Sequence, residues 1–199
     1  LEREILGWLA IHRVPVAINR GLDLLVGPLD RHGVFHAINT LLHTSLVERE
    51  SEEDGPIRVT LQNVVMEHMT GRLLGAFSED LAGGTCDTLR RYPLVMASAA
   101  EHVQETQRRL LLQPVASQAR AAWGKAGAIE RLRALLDTLH RDGRAATGYA
   151  GANLLHLLLA LDADLRGLDL SEIAVRQADL RSATLAEVNF SGADLGGSI

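Results

Sequence analysis

The side chains best suited to chemistry in this chain are three clustered histidines, one cysteine and a set of evenly spaced carboxylates. His32, His36 and His43 stand at offsets of four and seven, so a helix carries all three on one side, as metal ligands require. No carboxylate or thiolate joins them at matching spacing, and three neutral imidazoles on a partly exposed helix need fixed supporting partners to hold an ion. They read as a polar helix face. Cys86 sits in GGTCDTL with no nearby histidine to activate it, and reads as a small, semi-buried packing residue. WGKAG around Lys125 lacks the first glycine and the hydroxyl residue of a phosphate-binding loop, and neither H-E-x-x-H nor G-x-S-x-G occurs. No catalytic motif, metal site or resident cofactor is expected.

The carboxylates belong to a stricter pattern. Asp164, Asp169, Asp179, Asn189 and Asp194 all fall on one five-residue grid, which raises the question of calcium. The glycine-rich nonapeptide of calcium-binding β-helices is absent, and short polar side chains at a turn bond the backbone instead. One position further on, an apolar residue recurs without a miss at Leu165, Leu170, Val175, Leu180, Leu185, Phe190 and Leu195. Two residues before each stands a small or apolar side chain, from Ala163 and Leu168 to Ala193. Neither a helix nor a strand keeps a period of five in phase. A chain that turns a corner every five residues does, with both positions pointing inward.

The segments ADL, LDL, IAV, ADL, ATL, VNF and ADL resemble the A(D/N)LXX motif of pentapeptide-repeat proteins. The resemblance implies a right-handed, four-sided β-helix whose stacked turns share one core, with the seven apolar residues above inside it. The pattern is still in register at Leu195, so the solenoid is expected to continue in a larger parent protein. Asn153 to Leu161 is apolar on all sides except His156, and is expected to cap the open end of the solenoid.

Upstream, residues 1–77 read as helix, helix, helix, hairpin, helix. Leu1, Ile5, Trp8 and Leu9 form a stripe closed by Pro15; a second helix runs from about Ile18 to Val26, ended by Gly27-Pro28. Val34, Ile38, Leu41 and Leu42 mark a third. SLVERE and PIRVTL read as strands around the polar turn SEEDG, with Ile57, Val59 and Leu61 on one face; Asn63 caps a helix through about Phe77. Between 78 and 147 lies a helical connector: Gly83-Gly84 breaks it, Tyr92-Pro93 opens a long helix, and Pro114 starts or kinks another. Ile129, Leu132, Leu136 and Leu139 form an amphipathic stripe there.

Three helices followed by a hairpin is the winged-helix arrangement. The phrases ILGWLAI, HTSLVERE, VTLQNVVMEHMTGRLL, YPLVMASAAEHVQETQRRLLLQPV and GYAGANLLHLLLAL resemble bacterial STAND-class signalling ATPases of the NB-ARC and NACHT group. The resemblance implies an α+β multi-domain fragment without the ATPase core. A winged-helix domain (1–77), a helical connector (78–148) and a capping helix with a truncated solenoid (149–199) follow in order. Its implied function is non-catalytic: to couple a nucleotide-binding domain of the same protein to downstream repeats, with ADP or ATP bound only in the parent. By position after the wing, Leu61-Gln62-Asn63 lies where that family carries a Met-His-Asp motif whose histidine contacts the ADP β-phosphate. The sequence departs from it at all three places. Gln62 still offers N–H donors to a phosphate, and Asn63 can cap as Asp does.

Charge weighs against two other functions. The net charge is −5. The third helix carries one permanent cation, and residues 48–54 of the wing hold five acids and one arginine, so a DNA-binding transcription regulator is disfavoured. A gyrase-binding pentapeptide protein needs a longer rod than fewer than two coils provide. A single cysteine fits a cytoplasmic location, and the most apolar stretch is about half the length of a membrane span.

Overall fold

The stripe of Ile5, Trp8 and Leu9 forms the buried face of α1 (Glu2–His12) in a computed structural model that describes residues 1–18, 31–50, 56–181 and 183–199. Arg13 ends the helix in the left-handed conformation, φ 58°, two residues before Pro15. The expected second helix and the SEEDG turn lie outside the described residues. Helix α2 (Arg31–His43) buries Val34, Ile38 and Leu41, while Leu42 is only half-buried. Strands β1 (Val16–Ala17), β2 (Val47–Glu50) and β3 (Arg58–Leu61) make one antiparallel sheet in the order β1-β3-β2. Val47 pairs with Leu61 and Arg49 with Val59. The strand begins two residues later than expected: Ile57 precedes β3 and is 40% exposed, whereas Val59 and Leu61 point into the core.

Helix α3 (Asn63–Gly83) runs six residues beyond the expected end at Phe77, because Leu81 continues the buried stripe of Met69, Leu73 and Phe77. Its first helical bond runs from the Met66 N–H to the Gln62 carbonyl, so the cap position belongs to Gln62 rather than Asn63. The chain separates into two compact units, Leu1–Leu73 and Leu74–Ile199, with the boundary inside α3.

In the second unit, Gly84 adopts φ +71° after α3, and a short helix α4 (Asp87–Arg91) follows. The long helix expected from Tyr92 does not form there. Leu94, Val95, Met96 and Ala97 are buried consecutively, a pattern no single helical face permits, and residues 92–100 run as an irregular strap. Helix α5 (Glu101–Gln107) starts after it and widens into a π-turn (Arg108–Leu112) before α6 (Gln113–Asp142). Pro114 explains the turn: its ring crowds the carbonyl four residues back and removes one N–H, which a π-turn absorbs. Helix α6 is broken at Gly124 (φ 67°, ψ 171°), a backbone region open in practice only to glycine. Beyond the break, Leu132, Leu136 and Leu139 are buried as their spacing requires, and Ile129 half-buried. Two helices, α7 (Arg144–Thr147) and α8 (Ala150–Ala160), precede the repeats.

From residue 162 the backbone turns every five residues. Positive φ angles recur at Asp162, Gly167, Glu172, Gln177, Glu187, Gly192 and Gly197. Bonds such as Leu168 N–H to Leu165 O and Val188 N–H to Leu185 O close the corners as β-turns. Parallel bridges join Asp169 to Asn189 and Ala174 to Asp194, each twenty residues apart, so four pentads make one coil. Leu165, Leu170 and Val175 are buried inside it. The fourth pentad and the second coil are less protected: Leu180, Leu185 and Phe190 are half-buried and Leu195 is 42% exposed. Four of the seven are therefore less well covered, as no further coil follows on that face among the described residues.

Candidate functional site

The chain's polar side chains converge where the helices of the second unit meet the first coil. A parallel coil pairs on both edges. The edge facing coil two is satisfied by coil two, as in the bonds from Leu170 N–H to Asn189 O and from Val175 N–H to Asp194 O. The opposite edge has no coil to meet, and helices take its place. The Ala174 N–H donates to Thr147 Oγ1 at 2.7 Å, and the Asp179 N–H donates to His156 Nε2 at 3.0 Å. Arg133 donates to the Asp164 carbonyl at 2.7 Å, and the Gln177 carbonyl accepts from the Ala97 N–H at 3.2 Å. Gly151 lets α8 come this close: a Cβ there would stand 2.3 Å from the Ala174 carbonyl oxygen.

The strap at 92–100 is held by four amide side chains. Asn153 Oδ1 accepts the Leu94 N–H at 2.7 Å, while its Nδ2 donates to the carbonyls of Leu89 and Tyr92 at 2.8 Å. Gln107 Oε1 accepts the Met96 N–H, and Gln177 Oε1 accepts the Ser98 N–H. Gln104 Nε2 donates to the carbonyls of Ala97 and Ala99. An irregular segment this deep needs such partners, since each unpaired buried amide is costly. Asp80 does the same for α4: its carboxylate accepts the N–H groups of Thr88 and Leu89, although burial pushes its pKa above the usual range.

At the fourth corner Asp179 is clasped by Arg108 of the π-turn and by its neighbour Arg181, which holds the carboxyl below its ordinary range. Both guanidinium groups also donate to Gln104 Oε1. His156 lies beside them, 4% exposed, and burial together with the Arg108 charge lowers its pKa to about 4. Because Nε2 accepts, the neutral ring carries its proton on Nδ1. This fixes the sign of a pH effect. The unfolded chain takes up a proton on this ring below about pH 6.5, while the folded unit resists until about pH 4. Lowering the pH from 7 to 5 should therefore destabilise the unit by about 2 kcal/mol through this ring. Urea titrations at the two pH values check it against His156→Gln, which keeps an acceptor for the Asp179 N–H and should remove that share of the loss.

The residues singled out from sequence fall in different places. His32, His36 and His43 are exposed along α2, and no group of three potential ligands suited to a metal occurs among the described residues. Cys86 is buried at the start of α4, where desolvation pushes its thiol up to about 11, so it stays protonated and unreactive. Gln62 is half-buried and Asn63 exposed at the start of α3, in the other unit from the clasp. The pentad Asp and Asn side chains act on their own turns: Asp164, Asp169, Asp179, Asn189 and Asp194 each accept the N–H two residues on. Thr147, Asn153, Gln104 and Gln107 went unmarked; Asn153 alone stands out as a polar residue within an apolar run, while Gln104 and Gln107 lie in the polar stretch EHVQETQRR.

Comparison with known proteins adds two findings. Residues 162–199 match the family model for pentapeptide repeats, with 8 copies. Over 98% of its length the chain is 28% identical to an uncharacterized WD repeat-containing protein of Nostoc sp., and it spans 18% of that protein. No solved structure matches. No helix among the described residues is long and apolar enough to cross a membrane. The C-terminal segment is thus a run of pentapeptide repeats, of the kind that serves in protein interaction, behind a helical and small-sheet region.

Proposed function

We propose that this chain is the non-catalytic connecting segment of a STAND-type signalling ATPase. In this reading residues 1–77 are a winged helix, for which the sheet order β1-β3-β2 and its flanking helices speak. The repeats are the start of a right-handed, four-sided β-helix, in keeping with twenty-residue coils. The observation that carries the proposal is the division into two units: helices and repeats share one unit, sewn together at the coil edge, and the sheet belongs to the other. A segment that couples two ends needs such rigid parts, each able to bias a common equilibrium. The Nostoc protein, several times longer and named for WD repeats, is consistent with a place beside a repeat array. Its partners are then a nucleotide-binding domain of the same protein and the repeats downstream, in the cytoplasm.

The test is made in the full-length parent. A phosphate-binding loop upstream of Leu1 is expected there, with ADP held in the resting state. Gln62→Ala should weaken ADP retention by about 1–3 kcal/mol, the worth of a hydrogen bond to a charged group. Unchanged ADP affinity would remove Gln62 from the nucleotide site, and absence of the upstream loop would overturn the ATPase reading altogether. Tight, steeply salt-dependent duplex binding would instead favour a transcription regulator.

A further inference from the structure

A cavity of about 550 Å³ opens beside the Asp179 clasp. The π-turn supplies Arg108 and Leu112, the end of α8 supplies His156, Leu159 and Ala160, and the coil supplies Arg181 and Ala183. Its size is that of pockets that hold small molecules. Two arginines from different elements converge there on a single carboxylate, Asp179, whose side chain is 12% exposed. The partly buried clasp therefore carries one positive charge in excess. Glu101, the other carboxylate of the lining, is exposed like Arg181 and offsets part of that guanidinium's charge, which leaves Arg108 as the better-protected cation. Each guanidinium has five N–H donors, and those directed to Asp179 and Gln104 leave others unspent. His156 adds a buried Nδ1 without a hydrogen-bond partner. Leu112, Leu159, Ala160 and Ala183 supply apolar side chains to the same lining.

We propose that this cavity binds a small organic monoanion: a carboxylate or phosphate-ester group that meets Arg108 and Arg181, on an apolar body that covers Leu112 and Leu159. The proposal is independent of the ATPase reading. Arginine suits this role because its planar fork presents parallel donors to an oxyanion. The anionic head decides recognition, and the apolar body adds affinity in proportion to the area it covers.

The test uses the 199-residue chain, with hexanoate as probe and hexanamide as its uncharged counterpart. The Nε–H signals of Arg108 and Arg181 should shift saturably with hexanoate, with a Kd on the order of 1 mM. Hexanamide at equal concentration should leave them in place. Arg181→Gln, at an exposed position that the fold tolerates, should weaken hexanoate binding roughly tenfold. Inorganic phosphate should bind more weakly than hexanoate, since it lacks the apolar body. The proposal is overturned if hexanoate gives no saturable shift up to about 20 mM. An equal response to hexanamide, an equal or tighter response to phosphate, or an unaltered Kd in Arg181→Gln would overturn it as well.

Discussion

Leu170→Asp should destabilise the second unit by about 4–5 kcal/mol, enough to lose most of the stability of an ordinary domain. Leu170 is fully buried in the first coil, and its N–H bonds to the Asn189 carbonyl of coil two, so a carboxylate there meets neither water nor a partner. The companion change Leu195→Asp puts the same charge on a 42%-exposed inward position of coil two, one coil on from Val175. It should move the urea midpoint by about 0.5 kcal/mol or less. If both variants unfold alike, the gradient of protection from the first coil to the second is wrong.

Asn153→Leu should be nearly as damaging, at about 3–6 kcal/mol, with little change in side-chain volume. The leucine fits an apolar helix, so hydropathy alone predicts a gain. Three backbone groups decide otherwise: the Leu94 N–H and the carbonyls of Leu89 and Tyr92 all lose their partner inside the core. Asn153→Asp separates donor from acceptor. It keeps the bond to Leu94 but turns two donations into contacts between oxygens, so it should be no better tolerated than leucine. Thermal or urea unfolding followed by circular dichroism measures both. A stable Asn153→Leu variant would mean that the strap leaves the core at little cost.

The repeats were legible because their signal is arithmetic: a period of five excludes both regular elements, and seven pentads repeat it. Their corners were less so. Only three of the seven left-handed positions are glycine, and Glu172, Gln177 and Glu187 have no composition that marks a turn. The strap was misread as helix because a proline such as Pro93 is an ordinary helix start, and the hydrogen bonds that hold the segment irregular are not written in its own residues. What keeps it irregular is supplied by Gln104, Gln107, Asn153 and Gln177, three of them within helices of their own. Partners up to 79 residues away leave no local trace. In the sheet, Val59 and Leu61 were read correctly by alternation, whereas Ile57 sits just before the strand and escapes burial. The Asp179 clasp depends on a π-turn, and a proline announces a disturbance without saying which kind.

The bonds from Thr147, His156 and Arg133 to the first coil also give the repeat array a direction of growth. A coil has to be laid down against a surface that already offers donors and acceptors in register, or it bears the whole entropy of closing twenty residues unaided. The helices are such a surface: they come earlier in the chain, and their internal bonds span four residues where the bonds between coils span about twenty. The first coil then copies its register from side chains, and the second copies it from the first. Solenoids in general can start anywhere along their length. This one has a mould at one end, so its coils are expected to form outward from the helices, in the order in which the ribosome delivers them.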